Sequence, residues 1–219
     1  MLPDKYNMTQ EQNIFLAKRN IVDSMWKSAN LEGIAITFQE TQAIYDGMNI
    51  GKFRIDEIQI INNLKHAWEY ILFTINDKIN FNYISSINSL VGSNLIEAPG
   101  KLRAYEVAMG GTTWKPELPT LEKIEEVIED RLNTQSETDR IITLMCRLMK
   151  LQIFNDGNKR TSMFVANHEL IKYGKGVISI SDENRVEFGT KLIDYYEDEN
   201  RLEILKEFIF SKCLNGIEI

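Results

Sequence analysis

The sequence predicts an all-α fold, a helical bundle interrupted by one short β-hairpin. Apolar residues recur at helical spacing through most of the chain, and helix-capping patterns precede several of these segments. Three of the four prolines and a Gly-Gly pair fall between residues 99 and 119. Because proline and glycine interrupt helices, that stretch is the exception to the helical pattern.

The composition predicts a soluble globular protein. Of its 219 residues, 43% are apolar and 26% are charged, which is enough to bury a core without disulfides. Lys and Arg number 25 against 32 Asp and Glu, giving a formal net charge of −7. Because there is no basic excess, neither nucleic acid nor a membrane surface is an expected partner. The sequence lacks a signal-peptide pattern and a long apolar run, so we expect a cytoplasmic location.

The N-terminal part, residues 1–55, is predicted to contain two helices. The first covers residues 9–33. The second begins after Thr37, since Thr37 and Glu40 match a capping box, and it ends at Gly47. These helices are expected to flank a core formed by the rest of the chain.

The core is predicted to span residues 56–219. It begins with a long helix from about Asp56, followed by helices over residues 83–95 and 120–132. The apolar positions of the long helix share one face: Ile58, Ile61, Leu64, Trp68, Leu72 and Ile75. A helix over residues 136–151 is apolar nearly all round and is expected at the centre of the bundle. Three more helices follow, the first of them ending near Tyr173.

Residues 103–119 have the pattern of a short β-hairpin. Apolar residues alternate up to a Gly-Gly turn, and a second extended run follows it. The positions that carry this pattern are Tyr105, Val107, Met109, Gly110, Gly111, Thr113 and Trp114.

The candidate chemistry lies in the break between the two central helices, Leu-Gln-Ile-Phe-Asn-Asp-Gly-Asn-Lys-Arg-Thr-Ser over residues 151–162. Backbone N–H groups at such a turn, with the positive end of the next helix, form an anion site. Lys159 and Arg160 add two cations, and Asp156 offers a carboxylate oxygen suited to magnesium shared with phosphates. The residues therefore indicate a cradle for a magnesium nucleotide or polyphosphate. An ordinary helix–helix turn with solvated charges is an equally open alternative.

This segment resembles the signature of the Fic/Doc family, His-x-Phe-x-(Asp/Glu)-Gly-Asn-(Gly/Lys)-Arg. Every position except the first agrees with Gln152-Ile153-Phe154-Asn155-Asp156-Gly157-Asn158-Lys159-Arg160. The resemblance extends over about residues 63–173. It implies a Fic fold in which the hairpin serves as a flap that docks a target protein.

The resemblance also implies a reaction and residue roles. Family members typically transfer AMP from ATP, with Mg²⁺, to a Ser, Thr or Tyr hydroxyl of a protein. Phe154 would anchor the loop, Asp156 would hold the magnesium, and Arg160 would contact a terminal phosphate. The backbone anion hole would come from Gly157, Asn158 and Lys159. The flap residues that would hold the unidentified target by strand addition are Val107, Met109, Gly110, Gly111, Thr112 and Thr113.

Gln152 stands where the signature has its general base, a histidine. A neutral amide cannot take a proton near pH 7, and losing a positioned base costs about 10² to 10⁴ in rate. The chain's histidines, His66 and His168, are expected at the surface or its boundary and do not replace the base. Met163 stands where many AMP-transferring members have a second arginine. The missing arginine, together with Lys159 in the motif, resembles the Doc branch of the family, whose members transfer phosphate.

Three alternatives to a working AMP transferase therefore stay open. One is a nucleotide-binding pseudoenzyme that kept the cradle and lost the base. Another is a Doc-like phosphotransferase or toxin module. The third is a helical scaffold with an empty turn, which would not bind ATP. The sequence names no target protein, and self-association into a homo-oligomer is open.

The end of the first predicted helix resembles the family's inhibitory motif, (Ser/Thr)-x-x-x-Glu-(Gly/Asn). The matching residues are Ser28, Glu32 and Gly33. The resemblance implies autoinhibition, with the Glu32 carboxylate displacing the terminal phosphate of ATP. Because Met163 removes the usual arginine partner, Glu32 would pair with Arg160 or Lys159 instead. On its own, this pattern equally fits an ordinary helix C-terminal turn.

Overall fold

The computed structural model describes residues 1–130 and 136–217. The predicted all-α bundle is confirmed, and the described part carries one small two-stranded sheet. A 3₁₀ turn (Glu199–Arg201) and a π-helical turn (Ile209–Cys213) flank the last helix. The helices of the described part are, in chain order, α1 (Gln10–Arg19), α2 (Ile21–Leu31), α3 (Phe38–Tyr45), α4 (Ile55–Phe73), α5 (Phe81–Val91), α6 (Leu121–Asp130), α7 (Glu137–Leu151), α8 (Asn158–Lys172), α9 (Asp182–Glu197) and α10 (Leu202–Phe208).

The central position predicted for α7 is confirmed. α7 packs along α8, and nearly every residue of α8 is buried. One apolar cluster joins α8 to the N-terminal helices, and Trp68 meets Phe164 edge to face at 5.5 Å. A second cluster joins α7 to α9 and α10. The loop between α7 and α8 is therefore held by packing on both sides.

The predicted first helix is in fact two, because the chain turns at Asn20. The Asn20 side-chain amide donates to the Leu16 carbonyl at 3.0 Å, and its backbone leaves helical geometry. Asparagine competes for backbone groups in this way, which favours a helix end. The turn separates α2 from α1, and α2 packs against α3 and α4 and also contacts α9.

The capping box at Thr37 and the helix that follows it, α3, are confirmed. α5 ends at Val91, with Gly92 as its C-cap, and is shorter than predicted. The predicted end of the next helix at Leu132 lies outside the described residues. No helix in the described part of the chain is long and apolar enough to cross a membrane.

The two-stranded sheet does not lie where the hairpin was predicted. It pairs β1 (Val177–Ile178) with β2 (Leu214–Asn215) in antiparallel register. Residues 103–119 contain a turn at the glycine pair and no paired strands, so the hairpin prediction is wrong.

Arg103 explains why this segment forms no hairpin, because its side chain links the two arms in place of strand pairing. The buried Arg103 guanidinium donates to the carbonyls of Tyr105 at 2.9 Å, of Pro116 at 3.4 Å, and of Glu117. Both arms of the segment therefore bind one side chain. A lone two-stranded hairpin is only marginally stable in water.

Candidate functional site

The loop between α7 and α8 is a tight turn between two residues with left-handed backbone conformation. α7 ends at Gln152, with a φ of 46°, and α8 begins after Gly157, with a φ of 75°. A Cβ on Gly157 would lie 3.1 Å from the Asn88 side-chain nitrogen and from Val91. Glycine therefore supplies both the conformation and the space that the close packing of α5 requires.

Asn158 fixes the shape of the loop from the first turn of α8. Its side chain accepts from the Phe154 N–H at 2.9 Å and donates to the Phe154 carbonyl at 2.8 Å. It also donates to the Gln152 side-chain oxygen at 3.1 Å. The Phe154 ring is buried in the core. The loop is thus preorganised by contacts on its inner side.

Asn88 on α5 is a supporting residue that sequence reasoning missed. Its buried amide donates to the Asp156 carbonyl and to the Thr161 hydroxyl, both at 3.0 Å. Its oxygen accepts from the Gly100 N–H at 2.8 Å. An asparagine on the apolar face of α5 was the available signal, because buried polar groups require partners.

Replacing Asn88 by alanine should destabilise the fold and loosen the loop. The change removes three hydrogen bonds, two of them buried and one part-buried, so we expect a loss of about 2–4 kcal/mol in the free energy of unfolding. Urea denaturation measures this loss. Asn82→Ala, on the exposed side of the same helix, is the matched control and should be nearly neutral. Equal stability of the two variants would contradict this role for Asn88.

Lys159 and Arg160 meet Glu32 at the N-terminal end of α8. The Glu32 carboxylate lies 3.3 Å from the Lys159 Nζ and 3.1 Å from the Arg160 Nε. Glu32 is the C-cap of α2, and Gly33 follows it with a φ of 84°. The Glu32 N–H donates to the Ser28 carbonyl at 3.2 Å. A helix C-terminal turn thus places a carboxylate at the positive end of α8.

Asp156 faces solvent at the mouth of the site. Its Oδ1 accepts from the Gly157 N–H at 2.6 Å, and its Oδ2 lies 3.5 Å from Arg160. Within residues 1–130 and 136–217, no three His, Cys, Asp or Glu side chains form a group that could hold a metal ion. One exposed carboxylate suits a magnesium ion that arrives with phosphates and keeps its waters, so the residues fit that ion.

Gln152 is buried, and its amide is fully engaged. The nitrogen donates to the Met149 carbonyl at 2.6 Å and to the Tyr196 hydroxyl at 3.4 Å. The Tyr196 hydroxyl donates to the same carbonyl at 3.3 Å, and burial raises the pKa of this phenol. Neither Gln152 nor Tyr196 can therefore accept a proton from a substrate near neutral pH.

The histidines lie elsewhere. His66 is exposed on α4, as predicted. His168 is fully buried, so its predicted surface position is wrong. Its ring nitrogen contacts the Thr74 carbonyl at 3.0 Å, and its ring packs on Tyr83. His168 is buried because other helices surround α8. Neither histidine lines the cleft described next.

These elements surround a cleft of about 470 Å³. The loop and the start of α8 form its floor, Glu32 closes one end, and residues 107–110 form one wall. One face of α9 forms the opposite wall: Arg185, Phe188, Gly189, Leu192, Ile193 and Tyr196. Sequence reasoning missed this wall, although the 3.6-residue spacing of those positions was visible.

The predicted flap residues divide into two groups. Val107, Met109 and Gly110 line the cleft, whereas Gly111, Thr112 and Thr113 do not. The Thr112 hydroxyl donates to Glu197 at 2.5 Å. Trp114 stacks on Tyr196, with ring centroids 4.9 Å apart. The segment is therefore tied to α9 by its second arm.

A larger cleft of about 540 Å³ lies along residues 114–119 and α6. Three of its cations pair with its own carboxylates: Lys123 with Glu117 at 3.0 Å, Lys150 with Glu199 at 2.8 Å, and Arg147 with Asp130. The smaller cleft contains the preorganised loop and the converging cations, so it is the candidate functional site.

The fold and the site together define a helical protein in which two cations line a cleft at the start of a buried central helix. Residues 78–170 match the model of the Fic/DOC family, which supports a Fic/DOC domain in this part of the chain. The comparison with curated proteins finds no match.

Solved structures with the Fic fold are similar to this chain. Fic-1 from C. elegans superposes with a TM-score of 0.71 at 18% identity, over 89% of this chain and 63% of that one. A Fic domain containing signaling protein from Bacteroides thetaiotaomicron gives 0.70 at 14% identity, over 96% and 94%. A Fic family protein from Desulfovibrio desulfuricans gives 0.64 at 17%, over 91% and 65%. At these identities the similarity shows the fold, and this chain spans about two thirds of two of the three.

Proposed function

We propose that the cleft binds MgATP and transfers AMP from it, slowly, to a Ser, Thr or Tyr hydroxyl of a target protein. The observation that carries the proposal is the Glu32 carboxylate held between Lys159 and Arg160. A carboxylate and a phosphate use the same donors, so this position suits a phosphate when Glu32 withdraws.

The surrounding groups support a nucleotide ligand. The N-terminal end of α8 attracts anions through its unpaired N–H groups and its dipole. Asp156 would hold the Mg²⁺ that accompanies ATP, and the ion would neutralise phosphate charge. Residues 107–110 at the cleft wall, which pair with no other strand of the described chain, would bind a target segment by strand addition.

In the proposed reaction, the target hydroxyl oxygen bonds to the α-phosphorus of ATP. The bond between that phosphorus and the bridging oxygen to the β-phosphate breaks, and pyrophosphate leaves. The hydroxyl proton passes to water, because Gln152 is a donor here and no imidazole lines the cleft. Positioning and charge stabilisation can still support slow transfer.

The engaged amide of Gln152 favours a second candidate, a nucleotide-binding pseudoenzyme. Such a module would keep MgATP binding and the Glu32 contact but perform no transfer. A Doc-like phosphotransferase would instead move the γ-phosphate. All three candidates use the same cleft. They differ in whether a group is transferred and in whether that group is AMP or the γ-phosphate.

Incubation of the Glu32→Gly variant with MgATP labelled at the α- or the γ-phosphate tests the proposal. We expect slow incorporation of the α-label alone, into the chain itself or an added protein extract, with intact mass showing a gain of one AMP. Asp156→Ala in the same background is the control and should abolish it. Incorporation of the γ-label would indicate phosphate transfer. Binding without either label would establish the pseudoenzyme, and absence of MgATP binding would overturn all three candidates.

A further inference from the structure

We infer that Arg185 on α9 is a ligand of the nucleotide polyphosphate, released for that role when the Glu32 turn withdraws. The inference rests on the proposed function, because it assigns a residue to the same cleft. It adds a cation from outside the α7–α8 loop. The loop and the start of α8 supply only Lys159 and Arg160 as cations of the cleft floor.

Arg185 lies at the end of the cleft that Glu32 closes. Its Nη1 donates to the Asn30 carbonyl, in the last turn of α2, at 3.2 Å. Its Nε lies 3.3 Å from the Asp182 carboxylate, and 42% of its side chain is exposed. A guanidinium has five N–H donors, and these contacts leave donors facing the cleft and solvent. Two contacts therefore hold the Arg185 side chain in place, while part of its guanidinium stays open to the cleft and to solvent.

The net charge of the cleft lining becomes more positive when the Glu32 carboxylate withdraws. The charged side chains that line it are Lys159, Arg160 and Arg185 against Glu32 and Asp156, a net charge of +1. Without Glu32 the same walls carry +2. An excess of two positive charges in a partly enclosed cleft suits a polyphosphate better than a nucleoside monophosphate or a neutral ligand.

Space for the ligand exists beside Arg185 on the same helix face. Gly189 lies one turn further along α9 and also lines the cleft. A Cβ built on Gly189 meets no atom within 4 Å, so this wall is open toward the cleft. A phosphate chain entering from the loop side can therefore reach Arg185 without displacing α9.

The contact with Asn30 links this role to the state of α2. While Glu32 lies between Lys159 and Arg160, the last turn of α2 also supplies the carbonyl that Arg185 binds. Withdrawal of that turn removes the carbonyl and the competing carboxylate together. All three cations then become available to one anion, and arginine binds phosphate with a fork of two donors.

Nucleotide titration in the Glu32→Gly background tests the inference, because Glu32 no longer competes there. We expect Glu32→Gly/Arg185→Ala to bind MgATP about tenfold more weakly than Glu32→Gly, the loss of one charge-assisted contact. The affinity for AMP should change little. Arg185→Lys should fall between, because lysine keeps the charge without the fork. Arg201→Ala, an exposed arginine beyond the cleft, is the matched control and should have no effect.

Three results would overturn the inference, and they are distinguishable. An unchanged MgATP affinity in Glu32→Gly/Arg185→Ala would mean that Arg185 only holds α2. An equal loss for MgATP and AMP would indicate a distorted cleft and not a polyphosphate contact. Failure of Glu32→Gly itself to bind MgATP would remove the proposed function and this inference with it.

Discussion

Replacing Glu32 by glycine is expected to strengthen MgATP binding by about tenfold to a hundredfold. The Glu32 carboxylate contacts both Lys159 and Arg160, and ATP must displace it to reach those donors. A phosphate in this place would form hydrogen bonds to these charged groups, which contribute about 1.5–3 kcal/mol, and each 1.4 kcal/mol is a factor of ten in affinity. Calorimetric titration of the wild type and the variant with MgATP measures the difference.

A matched control exists on the neighbouring helix. α3 ends in Asp46 and Gly47, as α2 ends in Glu32 and Gly33, but Asp46 does not line the cleft. Asp46→Gly should leave MgATP binding unchanged. Glu32→Gln, which keeps the size and removes the charge, should reproduce most of the gain. Equal MgATP affinity of the wild type and Glu32→Gly would show that Glu32 does not occupy the phosphate position.

Replacing Gln152 by histidine in the Glu32→Gly background should raise the rate of AMP transfer by about 10² to 10⁴, the usual contribution of a positioned base. The Gln152 nitrogen donates to the Met149 carbonyl at 2.6 Å. An imidazole at this position can donate one ring N–H to that carbonyl and accept a proton on its other nitrogen. The rate of label transfer under saturating MgATP measures the gain.

The pH profile separates a base from a change in packing. The histidine variant should gain activity as the pH rises through about 6.5, where imidazole becomes neutral and able to accept a proton. Gln152→Asn, which keeps the amide, is the control and should show no such rise. Absence of a gain in the histidine variant, with MgATP binding intact, would contradict the explanation that a missing base slows the reaction.

Local signals predicted the helices and the loop. The capping box at Thr37, the apolar character of α7 and the Asp-Gly-Asn turn are properties of neighbouring residues. Because those features depend only on residues close together in the sequence, the folded structure retains them. The pairing of Glu32 with Lys159 or Arg160 was implied by the resemblance to the family's inhibitory motif and not by these local signals.

Long-range contacts explain where the structure differs from the predictions made from the sequence. Alternation near Tyr105 indicated strands, but the buried Arg103 binds both arms of that segment from within. Asn88 and Arg185 join the site through helices far from the loop in sequence, and no local pattern marks them as its partners. The burial of His168 likewise depends on helices that pack around α8.

The most direct test of the central claim is a crystal structure of Glu32→Gly with Mg²⁺ and a non-hydrolysable ATP analogue. The terminal phosphates should lie within hydrogen-bonding distance of Lys159 and Arg160, where the Glu32 carboxylate lies in the unmodified chain. The metal should lie beside Asp156. A nucleotide bound elsewhere, or a cleft that stays empty at saturating analogue, would contradict the assignment of this cleft as the ATP site.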